Sequence, residues 1–211
     1  MSSGTVNVID DDDDLRETLA GALRSKGYYA LTYGSVEHFI HNHVPAVPEV
    51  ILVDMRMPVQ SGLDLLKTVQ QNDLSIPVIF ISGESTAPEA VEAMKIGAAD
   101  FIFKPAPLSK ILSAVEYAMT RHLAKTEELK ASQRFLTRYA TLTPRERELC
   151  PYIGRDEKIK TIAAALNITQ PTVKIHKSRV LKKLGVTTSA ELALKLAKYV
   201  PSRGEPTEYN S

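Results

Sequence analysis

Glu49-Val-Ile-Leu-Val-Asp-Met-Arg-Met-Pro-Val-Gln-Ser-Gly62 decides the fold of this chain. Val50 to Val53 is an unbroken apolar run of mostly β-branched residues, and such a run reads as a short strand buried on both faces. It ends on a carboxylate, Asp54. Pro58 and the Ser61-Gly62 pair then turn the chain into a new apolar-periodic segment, Leu63, Leu65, Leu66 and Val69. In an open parallel sheet the carboxyl ends of the strands are where ligands bind. Asp54 at that place is either a capping or structural group or a reactive carboxylate, and the residues at the other strand ends decide between the two.

The same strand–turn–helix unit recurs on both sides of this stretch. Thr5 to Ile9 reads as a first strand ending on five acids, Asp10 to Asp14, before a helix with Leu15, Leu19, Ala22 and Leu23 on one face that stops at Gly27. Tyr28 to Tyr33 reads as a second strand, followed by a short helix around Val36 to Ile40 and a loop from Pro45 to Pro48. Pro77 opens a fourth strand, Val78 to Ile81, ending at Ser82-Gly83. A helix from about Ala87 to Ile96 closes on Gly97. Asp100 to Phe103 is a fifth strand, ending at Lys104-Pro105, and a long helix begins near Leu108. Five βα units in this span predict a doubly wound parallel sheet.

The 211 residues leave room for a second domain, and charge separates the two. Residues 1–122 carry 9 Lys and Arg against 16 Asp and Glu, a net of −7, whereas the remainder carries 17 against 9, a net of +8. An acidic half joined to a basic half predicts different partners, a polyanion for the basic one. No run approaches the ~18 apolar residues of a membrane span, and no signal peptide opens the chain. The single cysteine, Cys150, suits a reducing compartment. The expected location is the cytoplasm, away from membranes.

Asp10, Asp11, Asp54, Ser82 and Lys104 each fall at or just beyond the carboxyl end of a strand, so all should converge on one sheet edge. Three carboxylates together repel unless a cation joins them, and hard oxygen ligands suit Mg²⁺. A lysine and a hydroxyl supply donors to phosphoryl oxygens. The set looks like a site where Asp54 attacks phosphorus, with metal and Lys104 stabilising the developing charge. Asp12 to Asp14 read instead as helix-start acids.

These segments, Val8-Ile-Asp-Asp-Asp12, Asp54-Met-Arg-Met-Pro58, Ile81-Ser-Gly83, Ala93-Met-Lys-Ile-Gly97 and Asp100-Phe-Ile-Phe-Lys-Pro105, resemble the receiver domain of two-component response regulators, in wording closest to the FixJ type. The resemblance implies a flavodoxin-like (βα)5 domain. In it Asp54 would take phosphate from the phosphohistidine of a cognate histidine kinase. Asp10, Asp11, Asp54 and the Arg56 carbonyl would hold Mg²⁺, and Ser82 and Phe101 would form the switch. The Lys104–Pro105 bond would be cis.

Leu108 to about Ser132 keeps helical character and becomes charged from Lys125 on, which suits a linker, a short coiled coil or a solvated helix end. Thr143, Pro144 and Glu146 then have the spacing of a capping box opening a new helix. A second helix is expected over about Glu157 to Leu166, and Thr169 should cap a third, Gln170 to Leu184, closed by Gly185. These are helix-turn-helix proportions. Thr188 and Glu191 suggest another capping box, opening a fourth helix with Leu192, Leu194, Leu196 and Val200. From Thr169 to Lys183 there are five Lys and Arg, one His and no acid, the composition a major-groove reader needs.

Leu142-Thr-Pro-Arg-Glu-Arg-Glu148, Thr172-Val-Lys-Ile-His-Lys-Ser-Arg179 and Leu181-Lys-Lys-Leu-Gly-Val186 resemble the LuxR-type (FixJ/NarL) effector domain, an all-α tetrahelical helix-turn-helix domain. By that resemblance Lys174, Ile175 and Ser178 would face bases, Lys158, Thr172, Arg179 and Lys182 would meet phosphates, and the fourth helix would be a dimer surface. Two residues depart from the pattern. Pro151 falls inside the first effector helix, predicting a shortened or kinked helix, and Asp156 occupies the usual glycine of the following turn.

The expected organisation is a phosphoacceptor receiver over 1–122, a helical linker over 123–140, a DNA-binding domain over 141–200 and a disordered tail over 201–211. The reading is a phosphorylation-activated DNA-binding transcription regulator, not an enzyme. Its partners would be a histidine kinase, double-stranded DNA, a second copy when phosphorylated and RNA polymerase. Two alternatives stay open: a regulator that works unphosphorylated, and a metal-dependent phosphohydrolase with an aspartyl-phosphate intermediate. Arg56, where the latter would need a general acid, counts against it.

Overall fold

The computed structural model describes residues 4–72 and 74–200, so the tail expected at 201–211 lies outside the described residues. The chain divides into two compact units between Glu127 and Glu128. In the first, strands β1 (Thr5–Ile9), β2 (Tyr29–Tyr33), β3 (Glu49–Val53), β4 (Val78–Ser82) and β5 (Asp100–Phe103) form one parallel sheet in the order β2-β1-β3-β4-β5. Helices α1 (Asp13–Ser25), α2 (Val36–Asn42), α3 (Gly62–Gln71) and α4 (Ala87–Ile96) alternate with the strands, and α5 runs Leu108–Ala140, eight residues beyond the expected end, across the division between the units.

Strand periodicity sorts the core into two layers. Ile9, Ile51, Val53, Val78 and Phe80 pack with α2, α3 and α4 through Phe39, Leu65, Leu66 and Ala93. Their strand neighbours Val6, Val8, Val50, Leu52, Ile79 and Ile81 pack with α1 and α5 through Ala20, Leu23, Ile111 and Val115. The unbroken apolar runs are therefore buried on both faces, as read. One polar knot lies within the sheet. The Glu49 carboxylate, almost fully buried, accepts from Asn7 Nδ2 (3.2 Å) and bonds His43 Nε2 (2.9 Å).

Caps follow the residue types. Asp12 accepts from the Leu15 amide, which confirms the acids after Asp11 as helix-start residues, and Ser61 with Asp64 makes a capping box on α3. Gly62 is required by close approach. A Cβ there would lie 2.5 Å from the Asp54 carbonyl and 2.9 Å from the Phe80 ring.

Among its described residues the second unit is helical: α6 (Pro144–Gly154), α7 (Ile159–Ala165), α8 (Gln170–Leu184) and α9 (Ser189–Tyr199) follow the end of α5. Leu149, Ile153, Ile162, Val173, Val180, Leu184 and Leu192 form its core with Phe135 from the last part of α5. Three expectations change. Of the two outcomes expected at Pro151, the shortening does not occur: helix α6 continues to Gly154, and Leu149, Cys150 and Ile153 on either side of the proline are buried in the core. Helix α7 starts two residues later than expected. Glu191 does not close a capping box on Thr188; its carboxylate reaches back to the Thr187 amide (2.9 Å) and hydroxyl (3.2 Å). Leu194 is turned out to solvent, 73% exposed.

Gly62→Ala should destabilise the first unit by about 1–3 kcal/mol, the usual range for overpacking. Urea denaturation checks this; wild-type stability would mean that the Asp54 turn has slack.

Candidate functional site

Asp54 and Asp10 follow β3 and β1, adjacent strands in the centre of the sheet whose following helices pack on opposite faces. This is the topological switch point of a doubly wound sheet, where a crevice opens beyond the carboxyl ends. The ladder continues past the strand ends and fixes both backbones: Asp10 N donates to Tyr33 O (3.2 Å) and Asp54 N to Ile9 O (2.9 Å). Lys104, after β5, is tied in the same way to Ser82 O (2.8 Å). Its ammonium bridges the two carboxylates, 2.9 Å from Asp54 Oδ1 and 3.2 Å from Asp10 Oδ2. The other oxygens accept backbone amides, Asp10 Oδ1 from Asp12 (3.0 Å) and Asp54 Oδ2 from Arg56 (2.7 Å).

Burial sets the electrostatics. It lifts the Asp10 carboxyl above its ordinary value, with the Asp54 charge adding to the rise and the Asp12 amide and Lys104 opposing it. For Lys104, burial works against the ammonium, but the bonds and charges of Asp54 and Asp10 outweigh it and hold the group above the ordinary lysine value. One ammonium against two carboxylates leaves net negative charge, with Asp11 exposed beside them. Hard oxygen donors carrying uncompensated charge fit a divalent cation such as Mg²⁺. The side chains of the described residues are not already gathered as three carboxylate, thiol or imidazole ligands, since Asp11 stands out in solvent while Lys104 lies against the other two.

Ser82, the last residue of β4, is buried and accepts from the Ser85 hydroxyl (2.7 Å), a partner its sequence context does not announce. Phe101 is half-buried, stacked on Phe80 (5.6 Å between ring centres) and against Phe103 (5.0 Å). Lys104–Pro105 is cis, and so is Val47–Pro48. Arg56, besides its amide bond, pairs with Glu89 of α4 at 3.2 Å. Arg16 donates to the Asp10 carbonyl (2.7 Å), a second support for the site that sequence reasoning missed.

In the second unit the turn between α7 and α8 passes through Asn167 in the left-handed region (φ 53), and Thr169 caps α8. Along α8, Val173, Val180 and Leu184 are buried, while Lys174, Ile175, Ser178, Arg179 and Lys182 are exposed together. Thr172 is half-buried, its hydroxyl shared with Thr169 (2.8 Å), and Lys158 stands exposed at the start of α7. The remaining two Lys residues of α8 are paired with acids of the same unit. Lys183 donates to the buried Glu146 carboxylate (2.6 Å), and Lys177 lies 3.7 Å from Asp156. Glu146 also accepts from the Thr143 amide (2.9 Å), and the Lys183 bond together with this one holds it below the ordinary carboxylate value. Burial pushes the Cys150 thiol up to about 11, which keeps it protonated at neutral pH, as expected of a core residue.

Residues 6–116 match the family model described as the response regulator receiver domain, and residues 140–196 match bacterial regulatory proteins of the luxR family. The chain is 37% identical to the transcriptional regulatory protein FixJ of Azorhizobium caulinodans, over 89% of each chain. It is 33% identical to nodulation protein W of Bradyrhizobium diazoefficiens, over 89% of this chain and 82% of that one. Among solved structures, the response regulator StyR matches with a TM-score of 0.82 at 32% identity, covering 92% of this chain and 98% of StyR.

The raised Asp10 pKa has a sign that can be tested. The folded state holds this proton more tightly than the unfolded chain, so the stability that Asp10 contributes is fully present below the ordinary value of 3.8 and is lost as pH rises through the higher folded pKa. In metal-free buffer Asp10→Asn should therefore melt at a higher temperature than wild type at pH 7, with the gap closing toward pH 3. A lower melting temperature at pH 7 would show that the Lys104 pair outweighs burial.

Proposed function

This chain belongs to the response regulators of two-component systems, with a receiver domain followed by a LuxR-type DNA-binding domain, and from that premise we propose that Asp54 is its phosphoacceptor and α8 its DNA reader. The protein is a phosphorylation-regulated transcription regulator. Its family works with histidine kinases and binds DNA.

The observation that carries the reading is the Asp10–Lys104–Asp54 constellation at the switch point. An Asp54 oxygen attacks the phosphorus of a kinase phosphohistidine; the new O–P bond replaces the N–P bond, and the imidazole nitrogen leaves. Asp10, Asp11, Asp54 and the Arg56 carbonyl would hold Mg²⁺, whose charge offsets that of the phosphoryl oxygens. Lys104 transfers its bond from the carboxylates toward the phosphoryl group, and the Ser82 hydroxyl turns from Ser85 to the same oxygens. Phe101 would follow into the shallow, open groove of about 510 Å³ that it lines between α4 and β5 with the exposed Val91, Met94 and Phe103. That apolar face is where a second phosphorylated copy would pack.

In the second unit, Lys174, Ile175 and Ser178 would meet base edges, and Lys158, Thr172, Arg179 and Lys182 phosphates. We take 1–122 as the receiver, 141–200 as the DNA reader and 123–140 as the segment joining them. Among the described residues no helix is long and apolar enough to cross a membrane. The cytoplasm is where kinase, DNA and RNA polymerase would all be met.

Incubation with acetyl phosphate and Mg²⁺ should add one phosphoryl group, about 80 Da by the mass of HPO₃, removable by hydroxylamine as acyl phosphates are. Asp54→Ala should take up none, and Lys104→Ala should retain uptake but lose most of the phosphorylation-induced change. Undiminished labelling of Asp54→Ala would reassign the phosphoacceptor.

A further inference from the structure

Two of the five basic residues of α8 are held by acids of their own unit, and the two acids differ. Glu146 is buried and belongs to the capping box of α6. Asp156 is exposed on the turn after α6, where the family resemblance leads one to expect glycine. Its φ of 51 is one that glycine adopts freely and that Asp and Asn tolerate. From there its carboxylate faces the Lys177 ammonium at 3.7 Å. The other charges of the turn, Arg155 and Glu157, pair with each other at 3.7 Å.

Helical geometry places Lys177 on the flank of the outward arc of α8. Lys174, Ser178 and Lys182 form the middle of that arc, four residues apart, and Lys177 stands between it and the buried stripe of Val173, Val180 and Leu184, its side chain 28% exposed. An exposed ion pair of this kind adds little to stability, so folding gives no reason for an acid at this turn. A polyanion does. Each lysine that meets a phosphate releases condensed counterions, and a lysine already neutralised contributes less.

We propose that Asp156 sets the affinity and selectivity of the DNA interface by acting as an internal counterion for Lys177. It withholds one phosphate contact from α8, lowers the sequence-independent attraction to the DNA backbone, and leaves Lys174, Ile175 and Ser178 free to read bases. This inference rests on the reading of α8 as the DNA-facing helix. Asp156 is thus a positioning residue that acts through Lys177, and the left-handed turn is what brings it there.

The test uses the full chain with beryllofluoride and Mg²⁺, a duplex selected by wild type from a random pool, and an unrelated duplex of equal length. Asp156→Asn keeps both side-chain size and a residue tolerant of positive φ, and Asp156→Gly checks that the charge alone matters. Both variants should bind the unrelated duplex roughly three- to tenfold tighter at about 100 mM salt, with a logarithmic salt slope steeper by about 0.9. Their ratio of selected to unrelated binding should fall. Lys177→Gln should weaken binding modestly by leaving the Asp156 carboxylate unpaired, and should abolish the gain over wild type when combined with Asp156→Asn. Unchanged affinity in Asp156→Asn, or a gain that survives Lys177→Gln, would overturn the inference. Lys174→Gln separates the premises. If it weakens the selected duplex while Asp156→Asn has no effect, only the role of Asp156 falls. If it has no effect, or no duplex can be selected, the reading of α8 falls and this inference with it.

Discussion

A lysine ammonium held against two carboxylates is the contact around which the site of the first domain is built. Lys104 reaches Asp54 and Asp10 because β1, β3 and β5 end at the same edge of the sheet, where β1 and β3 are apolar runs buried on both faces and β5 is a part-buried edge strand. The three groups cannot all be satisfied by one another. One positive charge faces two negative ones in a partly desolvated crevice, and burial raises Asp10 as a result. The site would therefore gain from a further cation and, were Asp54 to carry a phosphoryl group as proposed, from moving Lys104 toward it.

The second domain uses charge differently. Its basic helix is bounded on both flanks by acids, Glu146 on one side and Asp156 on the other. Glu146 has two tasks, because the carboxylate that closes the α6 capping box also fixes Lys183. The start of α6 and the end of α8 are thereby joined by a part-buried ion pair, beside a helix whose outer face remains basic. Between the two flanks Lys174, Arg179 and Lys182 stay exposed, so the charge offered to a polyanion is smaller and more sharply placed than the composition of α8 suggests.

Most of this architecture was legible because local signals agreed with the global fold. The strands are short apolar runs, the helices open on Asp12, Ser61, Thr143 and Thr169, and the strand-end polar residues carry their own topology. The readings that changed depend on neighbours distant in sequence or on geometry within one turn. Pro151 leaves α6 running because the buried residues around it keep that helix in the core. Glu191 finds the Thr187 amide instead of the expected Thr188. The partners of Lys177 and Lys183 lie 21 and 37 residues away, and counting charge along one helix cannot separate them from the exposed lysines. Ser85 and Arg16 support the first site through contacts that neither spacing nor residue type announces.

The central claim is that the state of Asp54 governs DNA binding, and it is tested most directly by measuring DNA affinity and oligomeric state with and without beryllofluoride and Mg²⁺, on wild type and Asp54→Ala. The account predicts that the anion promotes dimerisation and tightens DNA binding in wild type and does neither in Asp54→Ala. DNA binding of equal strength in every condition would contradict it, because the first domain would then not be the input to the second.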